Sequence, residues 1–410
     1  MMLSFLWIIY EPEKGTPGET TMTDRISITE YLDSIAALAP AHRERAGEAE
    51  QERRLSQQTV DELVAAGLFR VYQSARFGGP ELSMAEVIPL ITQVGRACPA
   101  TAWVLAIMQM HIWMIGVYPQ QAQDEVFEDD SNTLVCGVLQ PRAMAKRVAG
   151  GYELGETTWP YASGCDFARW ATVGGLVQRD GGPPEMRVFL LPRDEYDIVD
   201  DWQVTGLRGT GSKSLAGGGT FVPEHRTISF MDAIAGELGK DRSPLFKSSV
   251  LGLLYLNLTG PALGAAQTAV EVFIGHIENR NLPFSIHKQV DAAQAHRLLG
   301  EAMLQTGSAE LMMERGAAMV REKAEAGEQL PVVERNRVRV YSSGAVRQCV
   351  AAIESLFLAS GGTAIQETHP LQQLNRDAKA MALHAALAHE NNLELWGASR
   401  LGKPLNSEFV

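Results

Sequence analysis

Three side chains carry the chemistry this sequence can offer. His384 lies in GGTAIQETHPLQQLNRDAKAMALHAALAHENNLELWG, residues 361 to 397; Ser163 lies in WPYASGCDFARW, residues 159 to 170; and His111 lies in MQMHIWMI. An imidazole with a pKa close to working pH gives or takes a proton, and a serine hydroxyl both donates and accepts a hydrogen bond. No metal is implied. Cys98, Cys136, Cys165 and Cys349 are widely spaced with no CxxC pair, so neither a zinc site nor a disulfide framework is suggested and a reduced, cytoplasmic setting is expected. His384 and His389 stand about 140° apart around a helix, so they cannot share one ion as HExxH histidines do. Ser163 follows Tyr161 and Ala162, which rules out a GxSxG hydrolase elbow.

Glycine-rich stretches close to these residues invite a nucleotide reading and then refuse it. GLRGTGSKS, residues 206 to 214, approaches GxxxxGKS, but Ser212 intervenes between Gly211 and Lys213, and its strand-rich surroundings supply no helix to receive a phosphate. It reads as a turn. GxGxxG is absent, so tightly held NAD is not expected. A formal charge of −13 without clustered Lys or Arg excludes a nucleic-acid surface.

The elements that must position these residues come in three blocks. At 410 residues, with 45% hydrophobic and 21% charged residues, the chain fits two or three globular units. We divide it into 1–22, an extension ahead of a native start at Met22; 23–132, helical; 133–230, strands; and 231–410, helical. LSFLWIIY near the start is too short to span a bilayer and lacks a signal peptide's basic leader. SITEYLDSIAALA, LSQQTVDELVAAGLF and MAEVIPLITQVGRA repeat apolar residues at helical spacing, and ATAWVLAIMQMHIWMIGVYP, apolar nearly all round, reads as a buried helix. Its Gln109 and His111 must find partners there. From Thr133 short strands broken by Gly, Pro and Asp predict an antiparallel barrel or sandwich, and from about Met231 four long helices predict a bundle. The last is read as one long helix carrying Arg376, Asp377 and His384, with Arg376 and His384 about 80° apart around it.

Helices, then strands, then a four-helix bundle resemble the acyl-CoA dehydrogenase superfamily, an α+β fold, over essentially everything after Met22. A Gly-Gly turn and an Arg-Asp pair close the chain in the same way. In the dehydrogenases a glutamate nine places after the arginine removes a proton α to a thioester. Ala385 stands there, and an aliphatic side chain cannot be a base. His384 instead resembles the histidine of the flavin-dependent monooxygenase branch, which includes the p-hydroxyphenylacetate hydroxylase-like and steroid-phenol-hydroxylase-like oxygenase components.

That resemblance implies a reduced flavin, FMNH2 or FADH2, supplied by a separate NAD(P)H:flavin reductase. It further implies O2 as co-substrate, reaction through a flavin hydroperoxide, hydroxylation of an aromatic, phenolic small molecule, and a homotetramer. Trp103 would line the pocket, and Gly137, Val138 and Leu139 would approach the flavin by their backbone. Ala162, Ser163 and Gly164 would meet its N5 side, Arg280 would reach its phosphate or pyrimidine across a subunit interface, and Gly361 and Gly362 would lie against it. His384 and His111 would serve as acid and base, in either order. Each has a plainer alternative: core packing for Trp103 and His111, a strand end for Ser163, a helix-end charge for Arg280. GVLQPRAMAKR lacks the serine that phenol-hydroxylating relatives carry in the loop after this strand, which keeps N- or S-oxygenation open. An FAD-dependent acyl-CoA dehydrogenase would need a carboxylate, for which Glu390 and Glu394 are the nearest, and a non-catalytic scaffold on the same fold is the third alternative.

Overall fold

The computed structural model describes residues 26–179, 181–248 and 250–407; the extension expected at 1–22 lies outside them. The first block is α1 (Ile28–Glu52), α2 (Gln57–Ala65), α3 (Met84–Ala97), α4 (Pro99–Ile115) and α5 (Gln120–Phe127). Capping boxes start α1 and α3: Ser27 with Glu30 and Ser83 with Glu86 exchange the hydrogen bonds that a helix N-terminus otherwise lacks. Every residue of α4 is buried. It packs on α3, on the later helices Val250–Asn257 and Gly260–Glu278, on the strand Val135–Val148 and on the 208–210 turn. A helix covered all round tolerates apolar residues on every face, which its sequence provides.

The strands are β1 (Val135–Val148), β2 (Gly151–Leu154), β3 (Thr157–Ala162), β4 (Trp170–Val177), β5 (Glu185–Pro192), β6 (Tyr196–Val199), β7 (Lys213–Gly217), β8 (Thr220–Pro223) and β9 (Thr227–Ser229). They form a six-stranded sheet in the order β8-β2-β1-β4-β5-β9 and a three-stranded sheet β3-β7-β6. The pairs are antiparallel as the turn signals imply, with one exception. β1 and β4 run parallel, in register from Val135–Trp170 to Val138–Val173, then shift at a bulge between Val138 and Ala143. Gln140 to Arg142 therefore belong to a continuous, bulged strand and not to a loop. The Leu139 carbonyl passes so close over Gly174 that no Cβ fits there.

The remaining helices are α6 (Phe230–Ala235), α7 (Pro244–Lys247), α8 (Val250–Asn257), α9 (Gly260–Glu278), α10 (Ala293–Glu325), α11 (Val332–Ala359), α12 (Pro370–Ala382) and α13 (His389–Arg400). α9, α10, α11 and α12 pack as the bundle. The expected single final helix is broken. α12 stops at Ala382, His384 adopts extended backbone, a 3-10 turn covers Ala385–Leu387, and α13 follows. The interruption has a local cause: the His384 imidazole accepts the Ala386 N–H at 3.2 Å, the role usually filled by Ser or Asp at a helix start. The angular relations expected of His384 with Arg376 and His389 on one helix do not hold. His389 instead sits 3.0 Å from the Ser343 hydroxyl. Among the described residues no helix is long and apolar enough to cross a membrane.

Candidate active site

α4 is the rail on which the expected residues meet. Trp103 packs edge-on against His384, ring centres 5.7 Å apart at 67°. Val104 and Met108, a turn apart, bear on Gly164, where an added Cβ would lie 2.9 Å and 2.6 Å from their side chains. His111, the next turn, bears on Gly137, where a Cβ would lie 2.6 Å from the ring. Residues 104, 108 and 111 share one helix face by their spacing. The backbone adjoining Gly164 and Gly137 can come this close because neither has a side chain.

Ser163 is set by two turns that face each other. Tyr161 (φ 73°) and Gly164 (φ 72°) turn the end of β3, while Leu207 (φ 54°) and Gly211 (φ 53°) shape the turn before β7. Left-handed backbone is costly for Tyr and Leu, so each needs outside support. Leu207 receives it from α12: its N–H donates to Asp377 Oδ1 at 2.6 Å, and Arg376 donates to the Thr205 carbonyl. Across the two turns Ser163 and Ser212 hydroxyls lie 2.7 Å apart, Ser212 and Thr210 hydroxyls 2.7 Å apart, and Gly164 N–H donates to Thr210 O. A Lys213–Asp166 ion pair at 2.8 Å, nearly out of solvent, ties them again. Asp377 thus braces the Ser163 side of the site, and the helix bearing it ends two residues before His384.

The electrostatics correct one expectation. Burial pushes the His384 pKa down to about 4 and that of His111 down to about 3. Neither is a base poised near neutral pH. His384 is half-exposed, yet apolar neighbours such as Trp103 hold it neutral. Because its Nδ1 accepts from Ala386, the neutral ring carries its hydrogen on Nε2 and can donate outward. His111 is closed in: Nδ1 lies 2.7 Å from the Thr172 hydroxyl, and the Gly137 backbone also hydrogen-bonds the ring. Gln109, likewise buried, donates to the Leu68 carbonyl.

Models of the acyl-CoA dehydrogenase N-terminal and C-terminal domains match residues 29–127 and 256–389. The oxygenase subunit HsaA of a flavin-dependent monooxygenase from Rhodococcus jostii is 32% identical over 383 residues, 92% of this chain and all of that protein. The chain belongs to the acyl-CoA dehydrogenase family, in its flavin-dependent monooxygenase branch. The oxygenase component of an FADH2-dependent resorcinol hydroxylase from Rhizobium is 28% identical over 90% of this chain and 93% of its own. XiaF from Streptomyces, solved with FADH2 and glycerol, superimposes with a TM-score of 0.87 at 28% identity, covering 93% of this chain and 97% of XiaF.

For a member of that branch the donor set fits reduced flavin. An imidazole N–H beside a tryptophan, the turn that carries Ser163, and two glycines that bring backbone close all lie along α4. The carboxylates that dehydrogenation would need are engaged elsewhere. Glu390 pairs with Arg347 at 2.8 Å, and Glu394 accepts from Asn406 at 3.1 Å, both on the surface. Ala162 is fully buried and Val138 nearly so, both in strands, while Leu139 sits at the bulge.

Arg280, Gly361 and Gly362 form a separate group at the other end of α12. Arg280 donates to the Ser360 carbonyl and crowds Gly361 (φ 65°) so closely that a Cβ would strike its guanidinium; Gly362 has nothing within 4 Å. α12, at 13 residues, puts about 20 Å between this group and the end that leads to His384. The sequence reading missed Ser212, Thr210 and Thr172. Thr210 and Ser212 were visible as two hydroxyls flanking Gly211, but their pairing with Ser163 is a tertiary contact that spacing does not encode.

Proposed function

We propose that this chain is the oxygenase component of a two-component flavin-dependent monooxygenase that hydroxylates an aromatic, phenolic small molecule. The observation carrying this reading is the neutral His384 with its hydrogen fixed on Nε2, beside Trp103, where Ala385 leaves no carboxylate. Reduced flavin, when bound, supplies the two electrons that activate O2, one atom of which enters the substrate. FADH2, which the Rhizobium and Streptomyces relatives are named with, is the first flavin to test, and FMNH2 the second.

The chain's own residues then have distinct tasks. Ser163 and the backbone around Gly164 hold the flavin's N5 edge. His384 would offer its Nε2–H as a hydrogen-bond donor to the reacting oxygen. Trp103 packs the substrate and keeps the His384 ring in place, while the apolar α4 wall excludes water. His111, bonded to Thr172, sets the β1 wall. Arg280, Gly361 and Gly362 reach a flavin held mainly by a second copy in a homotetramer, and a separate reductase supplies the reduced flavin in the cytoplasm. The serine missing from GVLQPRAMAKR keeps amine or sulfur oxygenation open as a second reading.

The test is anaerobic loading with reduced FAD or FMN followed by 18O2 and a panel of phenols, amines and thioethers. One labelled oxygen in product supports the reading, and the substrate that accepts it chooses between carbon, nitrogen and sulfur. Desaturation of an acyl-CoA with no label would overturn it.

A further inference from the structure

We infer that Thr210 and Ser212 fix the direction of the Ser163 hydroxyl, leaving it able only to accept from a bound flavin, so that the site selects reduced over oxidised flavin. This rests on the reading of Ser163 as the hydroxyl at the flavin's N5 edge.

The direction follows from counting protons along the chain of hydroxyls. Thr210 Oγ1 lies 2.8 Å from the Leu207 carbonyl oxygen. A carbonyl cannot donate, so the single Thr210 hydroxyl hydrogen occupies that contact. The 2.7 Å contact between Thr210 and Ser212 must then use the Ser212 hydrogen. With that hydrogen committed, the 2.7 Å contact between Ser212 and Ser163 must use the Ser163 hydrogen. Ser163 is left with lone pairs only. All three residues are almost fully buried, at 3%, 4% and 1% exposure for Ser163, Ser212 and Thr210, so bulk water does not offer a competing partner. The end of the relay is itself held, because Asp377 on α12 grips the Leu207 N–H.

A flavin's N5 changes its hydrogen-bonding sense with redox state. Reduced, it bears a hydrogen and donates. Oxidised, it bears a lone pair and accepts. Ser163 oriented by this relay is complementary to the first and opposes its own lone pairs to the second. Ser212 and Thr210 are positioning residues that act through Ser163 and not on substrate.

The experiment is anaerobic equilibrium titration of the full chain with FAD and FMN, each oxidised and dithionite-reduced, followed by fluorescence. Wild type should bind reduced flavin more tightly. In Ser212→Ala the Ser163 hydrogen is released to turn toward an N5 lone pair, so oxidised flavin should bind more tightly and the preference should fall about ten-fold, the worth of one neutral hydrogen bond. Thr210→Val should act in the same direction, because Ser212 then turns its hydrogen to Ser163. Thr210→Ser keeps the hydroxyl and should keep the wild-type preference, which separates the relay from a packing effect. An unchanged preference in Ser212→Ala and Thr210→Val, with Ser163→Ala altering it, overturns the relay while leaving Ser163 at the flavin. Binding of neither redox form by wild type overturns the proposed function and this inference with it.

Discussion

The two groups of residues that flank α12 are built in opposite ways. Around α4 each polar group has a neighbour in the same chain: His384 with Ala386, His111 with Thr172, Ser163 with Ser212. Around Arg280 the protein leaves surface open. Arg280 is half-buried and answered only by carbonyls and by His276 at 3.3 Å, with no carboxylate partner among the described residues. Phe284 and Ile286, shortly after Arg280, and Leu358 and Ile365, on either side of the Ser360–Gly361 backbone it contacts, stand exposed. Burial and the Arg280 charge lower the His276 pKa, and burial and His276 lower that of His369, so both shifts favour neutral rings beside the Arg280 guanidinium. The first group is preorganised for proton and hydrogen-bond chemistry within one chain. The second leaves a guanidinium with no carboxylate partner among the described residues, beside exposed apolar side chains.

The contrast breaks first at His384. If the α4 group does the chemistry, His384→Ala should lower product formation by about 100- to 1,000-fold, the usual worth of one preorganised hydrogen-bond donor, with reduced-flavin affinity little changed. Single-turnover product yield and flavin titration on the same preparation check this. A variant with weaker flavin binding whose single-turnover yield is unchanged at saturating reduced flavin would place His384 in the other group.

Gly164→Ala should come next, and should act through stability as much as rate. The position has φ 72°, and a Cβ would lie 2.6 Å from Met108 Sδ and 2.9 Å from Val104 Cγ1. Overpacking plus left-handed strain predicts a loss of about 1–3 kcal/mol, read from denaturant unfolding. Tolerance of the alanine without loss would mean the α4 wall is less rigid than its packing indicates.

How much of this was legible in the sequence differs between the groups for the same reason. Apolar periodicity and turn residues are local, so α4, the strand rhythm and the bundle could be read directly. The resemblance located His384 and Ser163. The break in the last helix could not be read, because nothing in AMALHAALAHE is a helix breaker; His384 stops α12 by taking the Ala386 N–H. The parallel β1–β4 pair and the hydroxyl relay depend on which strands meet. The depressed histidine pKa values depend on burial that only packing creates.

Asp377 offers a smaller and pH-dependent effect. Burial, with Glu50 adding repulsion, raises its carboxyl pKa to about 7, and its Oδ2 is buried without a partner. The folded chain therefore holds a proton that the unfolded chain has lost. Stability from this group is present below about pH 4 and is lost as pH rises toward about 7, by up to a few kcal/mol. The depressed His384 and His111 act in the opposite sense, losing stability as pH falls below about 6.5. Asp377→Asn keeps an acceptor for Leu207 and removes only the first effect. Its unfolding free energy should be higher than wild type at pH 8 and should lose the decline between about pH 4 and 7, while the histidine-linked loss as pH falls below about 6.5 remains.

The smallest expected change in stability tests the open group most directly. Gly361→Ala places a Cβ against Arg280 at a φ of 65° and should cost about 1–3 kcal/mol in the isolated chain. Gly362→Ala meets nothing within 4 Å and should alter stability by less than about 0.5 kcal/mol. Its neighbour is thus a control for strain, and any functional loss at Gly362 must come from something brought to it. If the turn lies against a flavin held by a second copy, Gly362→Ala should weaken reduced-flavin binding several-fold with unfolding unchanged, since even a methyl group separates a backbone from a surface it must touch. Equal flavin affinity in wild type and Gly362→Ala would remove that turn from the cofactor site and leave the α4 group as the whole of it.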